Sequence, residues 1–191
     1  MSAKDLIISL PNENLREKSA KVKSINDEVA ETISKMIEAT LDWEASREHE
    51  VGVALAAIQI DCPYRIVIIR NNFDNKKDKS FSVFINPEIT KLEGAIEEDY
   101  EGCLSVRDIY GKIPRHTKVR LKALDEHGRE IRVKAEGFLA RVFQHEIDHT
   151  NGKVFVDHLK GKKNSFFKIT PEGKLEKLDY EQVAKAGVFR D

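Results

Sequence analysis

Two histidines and a glutamate in the second half of the chain have the spacing of a metal site. They lie in the sequence QHEIDH, residues 144–149. Residues four apart on an α-helix share one face, so the imidazoles of His145 and His149 can reach the same cation. Glu146 would then stand beside the metal without binding it, where a carboxylate can accept a proton from the attacking water. Such patterns also occur by chance on charged surface helices, but apolar residues flank this one.

A catalytic metal needs a third protein ligand and one open position. Metzincin proteases would place a third histidine where this chain has Phe155. Thermolysin-like proteases use a glutamate from a later helix, and the candidates here lie in weak or irregular segments: Glu172, Glu176 and Glu181. Cys103 is the other candidate, because a thiolate suits a borderline-soft divalent metal. Taken alone, Cys103 could equally be an inert buried cysteine, and Cys62, beside Pro63 in a predicted loop, is interpreted as structural.

Three segments together resemble the motifs of the peptide deformylases, in the order of that family. Residues 52–59, GVALAAIQ, are similar to Gly-x-Gly-Leu-Ala-Ala-x-Gln. Residues 101–105 match Glu-Gly-Cys-Leu-Ser, and residues 144–149 match Gln-His-Glu-x-Asp-His, both without change. The resemblance extends over about residues 4–160. It implies removal of the formyl group from the N-terminal formyl-methionine of new polypeptides, with release of formate.

The resemblance also implies one divalent metal per chain, bound by Cys103, His145 and His149. The family uses Fe(II) in the cell, and Zn(II) or Ni(II) can occupy the same site. Glu146 would be the general acid and base, which agrees with its place between the histidines. The cysteine and histidine ligands by themselves do not distinguish iron from zinc.

Further roles follow from the same resemblance. The oxyanion formed during the reaction would be stabilised by the Gln59 side-chain amide and the Leu104 backbone N–H, together with the metal. The substrate would be contacted by Val53, Phe138 and Val142 around its methionine side chain, by Glu101 and the ligand His145 at the edges of that pocket, and by Ala54 beside the cleft for its backbone. Without the resemblance, Gln59 would be interpreted as a loop or capping amide, and the apolar residues as ordinary core.

Two positions depart from the family pattern. Ala54 replaces the second glycine of the first motif, and Arg107 stands where many members have proline. A methyl group at Ala54 could narrow the substrate cleft, and alanine would be strained if the backbone there required a positive φ. We expect a negative φ at Ala54 and an active enzyme. Neither position is a metal ligand or the acid/base, so the departures bear on substrate range and rate.

The elements that must position these residues indicate an α+β fold in which antiparallel strands pack around a central helix carrying the HExxH motif. That helix is predicted at residues 137–150, and Asn151-Gly152 ends it. An earlier amphipathic helix starts at Asn26 or Asp27 and ends near residues 43–47. The other predicted elements are strands at 65–70 and 82–89, the second broken or bent at Pro87, a hairpin of 118–124 with 130–135, a β-like segment at 153–159, a turn at 171–173 and a short helix at 180–186.

Length and composition set the remaining limits. The 191 residues, 40% of them hydrophobic, predict one globular domain, residues 1–191, with a divergent tail at 160–191. A net charge of −1 does not indicate specific nucleic-acid binding. The chain has no apolar run long enough to span a membrane and no secretory signal, so we expect it in the cytoplasm. The expected partners are formyl-methionyl nascent peptides, in proximity to the ribosome.

Two rival functions make different predictions. A zinc endopeptidase would cleave internal peptide bonds and would use a metal ligand other than Cys103. A non-catalytic, deformylase-like module would bind metal without turnover, and Ala54 is the one feature that favours it.

Overall fold

The computed structural model describes residues 2–189, so Met1, Arg190 and Asp191, at the two ends of the predicted domain, lie outside the described residues. The α-helices are α1 (Asp27–Ala45), α2 (Gly137–Thr150) and α3 (Tyr180–Lys185). The strands are β1 (Ala54–Ala56), β2 (Ile66–Arg70), β3 (Phe81–Cys103), β4 (Val106–Leu124), β5 (Glu130–Glu136), β6 (Phe166–Ile169) and β7 (Leu175–Lys177). Short 3₁₀ helices lie at Ala3–Leu6, Glu13–Arg16, Ala57–Ile60 and Phe155–Leu159.

The strands form one antiparallel sheet in the order β1-β2-β3-β4-β6-β7, and β5 also pairs with β4. Both faces of its first half are covered. Ile66 and Ile68 of β2 lie in the core cluster that contains α1, and Val67 and Ile69 lie in the cluster that contains α2. Because β2 is buried on both faces, its sequence is a continuous apolar run rather than an alternation. This confirms the predicted α+β class, with α2 packed against the strands.

Helix α2 carries the HExxH motif and begins where the chain leaves β5 at Gly137, whose φ is +57°. It ends at Thr150, and the chain turns away through Gly152, whose φ is +73°. A side chain at Gly152 would also approach the backbone of Arg16, so glycine is required there on two grounds. The predicted bounds of this helix and the start of α1, capped by the Asn26 side chain, are both confirmed.

The strand predicted at 82–89 is much longer in the structure. A bulge between Ile85 and Glu88 absorbs Pro87, and β3 then continues to Cys103 beside β4. Asn86 at this bulge has a φ of +54°, and its side chain bonds both the N–H and the carbonyl of Val22. The continuation was missed because residues 91–100 are mostly exposed and polar, so backbone pairing holds them without an apolar alternation.

The β-like segment predicted at 153–159 was wrong, because Phe155–Leu159 forms a 3₁₀ helix. The Asp157 carboxylate accepts the Val154 N–H at 2.8 Å and pairs with Arg16 at 2.6 Å. This local cap favours a helical turn over an extended strand, although the segment is apolar and buried. No helix in the described part of the chain is both long and apolar enough to cross a membrane.

The tail packs onto the rest of the molecule. Strand β6 pairs with the start of β4, and the predicted turn at 171–173 connects β6 to β7. Phe166 of β6 and Val183 of α3 lie in one core cluster with Phe155 of the 3₁₀ helix. This arrangement brings the β6–β7 hairpin near the end of β3, where Cys103 lies.

Candidate metal centre

Cys103, His145 and His149 converge in the structure. Cys103 is the last residue of β3, and the two histidines lie one turn apart on α2. The three ligand atoms lie within 4.8 Å of one another, and the Cys103 Sγ is 3.2 Å from the His149 Nε2. The turn after Cys103 brings β4 back across β3, which fixes the thiol opposite the buried face of the helix. The predicted ligand set is therefore brought together.

The chemistry of this donor set fits a divalent metal. One thiol and two imidazoles face a common point, which is the type of site that binds zinc, iron or nickel. Burial lowers the pKa of His149 well below its usual value, which favours the neutral imidazole that a metal requires, whereas contacts with Cys103 and Glu101 outweigh burial and raise the pKa of His145. Glu172, Glu176 and Glu181, the ligands that a thermolysin-like site would need, are exposed on the tail and do not join the cluster. The zinc endopeptidase alternative is therefore not supported, because the third ligand position is taken by Cys103 and not by a glutamate of the tail.

Glu101 orients the first histidine. Its carboxylate lies 2.9 Å from the His145 Nδ1 and accepts hydrogen bonds from Arg115 and Arg141, each at 2.9 Å. Burial alone would raise the pKa of Glu101, but the contacts with His145 and Arg115 outweigh it and hold the pKa well below its usual range. An ionised acceptor on Nδ1 directs the other ring nitrogen, Nε2, toward the metal position.

This network extends away from the metal position. Arg115 also donates to Asp148 at 2.6 Å, and Asp148 lies 2.8 Å from the His158 Nε2. Burial would raise the pKa of Asp148, but the contacts with His158 and Arg115 lower it. This explains the aspartate of QHEIDH, two residues after Glu146: Asp148 holds Arg115, which in turn holds Glu101. Sequence reasoning missed Arg115 because it lies in β4, outside all three motifs, and no local pattern marks it.

Glu146 is placed differently from Glu101. The residue lines the cavity beside the ligand cluster, and its buried Oε2 atom has no hydrogen-bond partner among residues 2–189. Burial raises the pKa of Glu146 to about 7, because the opposing effect of His145 is smaller and the charge of Glu101 adds to the rise. A buried carboxyl that is poised between its two protonation states is suited to take up and return a proton near neutral pH.

Comparison with known proteins agrees with this geometry. A family model described as polypeptide deformylase matches residues 4–165. The peptide deformylase of Psychrobacter cryohalolentis is 39% identical over 182 residues, which covers 94% of this chain and 93% of that protein. Peptide deformylase 1 of Pseudomonas syringae pv. tomato is 40% identical over 172 residues, covering 90% of this chain and 94% of that protein. The chain belongs to the peptide deformylase family.

Solved structures of deformylases have the same fold. The enzyme from Legionella pneumophila aligns with a TM-score of 0.70 at 38% identity, covering 80% of this chain and 84% of that one. The enzyme from Synechococcus elongatus, solved in complex with actinonin, aligns with a TM-score of 0.72 at 34% identity, covering 80% and 78% of the two chains. The chain is thus a metallohydrolase that removes N-terminal formyl groups from nascent peptides, with a Cys/His/His metal site.

The deformylase motif at residues 52–59 brings Gln59 next to the ligand cluster. The Gln59 Oε1 accepts the Ala56 N–H at 2.8 Å, which fixes the orientation of the amide. The Gln59 Nε2 then donates to the Ser105 Oγ at 3.1 Å and lies 3.4 Å from the Cys103 Sγ. Leu104 lies in the turn between β3 and β4 and lines the same cavity. Two candidate hydrogen-bond donors therefore adjoin the ligand cluster.

A cavity of about 430 Å³ opens beside the ligands, and all five predicted substrate contacts line it: Val53, Ala54, Glu101, Phe138 and Val142. Phe138 is about half exposed and packs edge to face with Phe73 at 5.0 Å, whereas Val142 is buried in the core. Ala54 lies in β1, and its φ is not in the left-handed region, which removes the source of strain. Arg107 is exposed and is not among the lining residues.

The mouth of this cavity contains residues that sequence analysis did not identify. They come from the last turn of α1, the loop after it, the end of β3, the start of β4 and the tail hairpin: Trp43, His49, Glu50, Tyr100, Tyr110, Ile169, Gly173 and Leu175. No local pattern marks them, because each contributes by position in the tertiary structure. Cys62 lies elsewhere, packed in the core beside α1 with its sulfur 3.7 Å from the Thr32 hydroxyl.

Proposed function

We propose that this chain removes the formyl group of formyl-methionyl peptides with Fe(II) held by Cys103, His145 and His149, and with Glu146 as general acid and base. When bound, the metal supplies Lewis acidity and lowers the pKa of water, so that a nucleophile is available near neutral pH. The observation that carries the proposal is the buried Glu146 carboxylate, whose Oε2 atom has no partner within the described chain, beside a Cys/His/His cluster at a cavity.

Glu146 moves the proton. Its carboxylate takes a proton from the attacking water and holds it in the buried pocket. It then delivers this proton to the methionine nitrogen as the bond between that nitrogen and the formyl carbon breaks, and formate leaves. A pKa raised to about 7 supports both steps, because the group is a useful base before the attack and a useful acid after it. No side chain or backbone group in the described part of the chain bonds to Oε2, which leaves the atom free for this exchange.

Gln59 and Leu104 stabilise the negative charge that develops on the formyl oxygen. The Gln59 amide is already oriented by the Ala56 N–H, so its Nε2–H₂ group faces the site before the substrate arrives. Donors that need no reorganisation contribute most to such stabilisation. The Ser105 hydroxyl, fully buried at 3.1 Å from Nε2, keeps the amide in place between turnovers.

The methionine side chain of the substrate lies against Val53, Phe138 and Val142. These residues provide an apolar wall near the ligand cluster, and the exposed ring of Phe138 offers the surface that a thioether side chain would cover. Ala54 narrows the cleft by one methyl group without distorting β1. Glu101 borders this pocket, but its oxygens are held by His145, Arg115 and Arg141, so it acts by positioning the metal ligand.

The setting of the reaction follows from the substrate. Newly synthesised polypeptides carry the formyl group, so the protein acts in the cytoplasm in proximity to the ribosome, without a specific nucleic-acid site. It acts as one domain, residues 1–191. The pairing of β6 with β4 supports this, since it joins the divergent tail to the same sheet as the metal centre.

The test is formate release from a formyl-methionyl peptide after anaerobic loading with Fe(II), Zn(II) or Ni(II). We expect turnover with iron, and lower turnover with zinc at equal metal content. Equal rates for iron and zinc would refute the iron assignment. Tight metal binding without formate release under any loading would instead support the non-catalytic module.

A further inference from the structure

The β6–β7 hairpin lies outside the part of the chain that the family model covers. The match ends at residue 165, and β6 begins at Phe166. The hairpin is nevertheless part of the active-site region, because Phe167 and Phe166 pair with Tyr110 and Gly111 of β4. At this point of the sheet, β4 in turn pairs with Gly102, the residue before the metal ligand Cys103.

The two faces of the hairpin differ. Phe166 points into the core cluster of the tail. Phe167 and Ile169 alternate with it onto the opposite face, and Ile169 is directly paired with Leu175. Ile169 and Leu175 both line the catalytic cavity.

An apolar surface results at the cavity mouth. Tyr100, which also lines the cavity, packs edge to face with Phe167 at 4.9 Å. Tyr100 is 40% exposed and Leu175 is 39% exposed, so both offer apolar area that nothing in the described part of the chain covers. The surface formed by Tyr100, Ile169 and Leu175 is continuous with the catalytic cavity. A peptide bound in the cavity would therefore extend along this surface.

The hairpin is held at this position by the loop after α1. The His49 Nε2 lies 2.9 Å from the Pro171 carbonyl oxygen at the hairpin turn. Gly173 has a φ of +76°, and a side chain there would come within 3.2 Å of the His49 ring. The loop is itself tied to β4, since the Tyr110 hydroxyl donates to Glu50 at 2.6 Å. The hairpin turn therefore rests against a defined partner.

The spacing of the strands gives the distance between the metal centre and the β6–β7 hairpin. Neighbouring strands lie about 4.8 Å apart, so β6, two strands from β3, lies about 10 Å from it, and β7, three strands away, lies about 14 Å from it. An extended peptide advances about 3.3 Å per residue. With the formyl group at the metal centre, the hairpin is within reach of the third and fourth residues of the substrate.

We propose that Tyr100, Ile169 and Leu175 form a specificity-determining wall that binds apolar side chains at the third and fourth residues of the formylated peptide. The proposal rests on the proposed function and deepens it by defining which nascent chains are processed fastest. The charged groups of the hairpin, Lys168 and Glu176, pair with each other on its other face and do not line the cavity.

The experiment compares kcat/KM of the iron-loaded protein on formyl-Met-Ala-Leu-Leu and formyl-Met-Ala-Ser-Ser, with formyl-Met-Ala as a substrate too short to reach the hairpin. We expect the leucine peptide to exceed the serine peptide by about tenfold, the size of effect that a few buried methylene groups give. The double variant Ile169→Ser, Leu175→Ser should bring this ratio close to one.

The matched control is Lys168→Ser with Glu176→Ser, which changes the other face of the same strands and should keep the wild-type ratio. The single variant Leu175→Ser changes a partly exposed side chain, so its fold should be intact, and circular dichroism checks this. The proposed specificity wall would be refuted by a leucine-to-serine ratio of kcat/KM near one in the wild type, or by an undiminished ratio in folded Leu175→Ser. Failure to turn over even formyl-Met-Ala would overturn the proposed function, and the wall with it.

Discussion

The metal centre and the mouth of its cavity are built in different ways. At the centre, polar side chains are buried and held by several partners, as Glu101 is by His145, Arg115 and Arg141. At the mouth, the contacts are few and partly exposed. The tail hairpin meets the loop after α1 at His49, whose Nε2 atom lies 2.9 Å from the Pro171 carbonyl oxygen, and Leu175 is 39% exposed.

The difference separates chemistry from recognition. A metal ligand must be held within a fraction of an ångström, and dense hydrogen bonding achieves this. A surface that accepts many nascent sequences gains from partly exposed apolar side chains on a turn. Substitutions at the metal centre should therefore reduce activity strongly and equally for all peptides. Substitutions at the cavity mouth should reduce activity slightly, and by an amount that depends on the peptide. The predictions below test this contrast in order of expected size.

Removal of a ligand should have the largest effect. Cys103→Ala and His149→Ala each leave two of the three donors, so both variants should lose most bound metal and all measurable turnover. Elemental analysis of the purified protein measures the metal. Cys62→Ala, which changes the other cysteine, should keep a full complement. Full metal retention in both ligand variants would show that the site is wrongly assigned.

Loss of the acid/base should come next. Glu146→Ala should keep the metal and lower kcat by about a hundredfold to ten-thousandfold, because proton transfer is lost while the ligands are intact. Metal content and formate release, measured on the same sample, separate the two effects. A near-normal rate in the metal-loaded variant would mean that another group carries the proton.

Substitution of Gln59 should lower kcat, but by less than substitution of Glu146. Gln59→Leu removes the oriented donor, and we expect a loss of about a hundredfold in kcat with unchanged metal content. The fall should be the same for short and long formyl peptides, since the donor acts on the formyl oxygen. If only KM rose, Gln59 would be a group that positions the substrate.

Substitution of Glu101, whose carboxylate contacts the His145 ring, should have a moderate effect on metal affinity. Glu101→Gln removes the charge that holds the histidine ring, and we expect metal affinity to fall by about tenfold to a hundredfold. Competition with a chelator measures this affinity. Glu98→Gln, an exposed change on the same strand, is the control and should leave it unaltered. Equal affinity in both variants would show that the network does not position the ligand.

The smallest effect is expected at Ala54, at the edge of the cleft. Because Ala54 lies in β1 with an ordinary φ, its methyl group is only a steric wall. Ala54→Gly should lower KM for a formyl-methionyl peptide severalfold and change kcat little. Steady-state kinetics on one peptide over a range of concentrations is sufficient. A kcat gain of several orders of magnitude would instead indicate that alanine disables the natural enzyme.

Sequence alone determined the elements whose pattern is local. The stripe of apolar residues defines α1, the run of β-branched residues defines β2, and the motif with its Asn151-Gly152 stop defines α2, all within a residue or two of their observed bounds. The spacing of His145 and His149 placed two ligands on one helical face because helix geometry is periodic. The ligand role of Cys103 could not be decided in this way and needed the resemblance of all three motifs.

Only the tertiary structure decided how distant segments meet. The exposed, polar half of β3 has no apolar alternation, so its pairing with β4 leaves no trace in the sequence. The role of Glu101 depends on Arg115 and Arg141, which come from another strand and from α2. The wall at the cavity mouth depends on β6 and β7 folding back beside β4. Each of these features is a contact between separate elements, and the free energy of such a contact depends on both partners being in place, which no local pattern records.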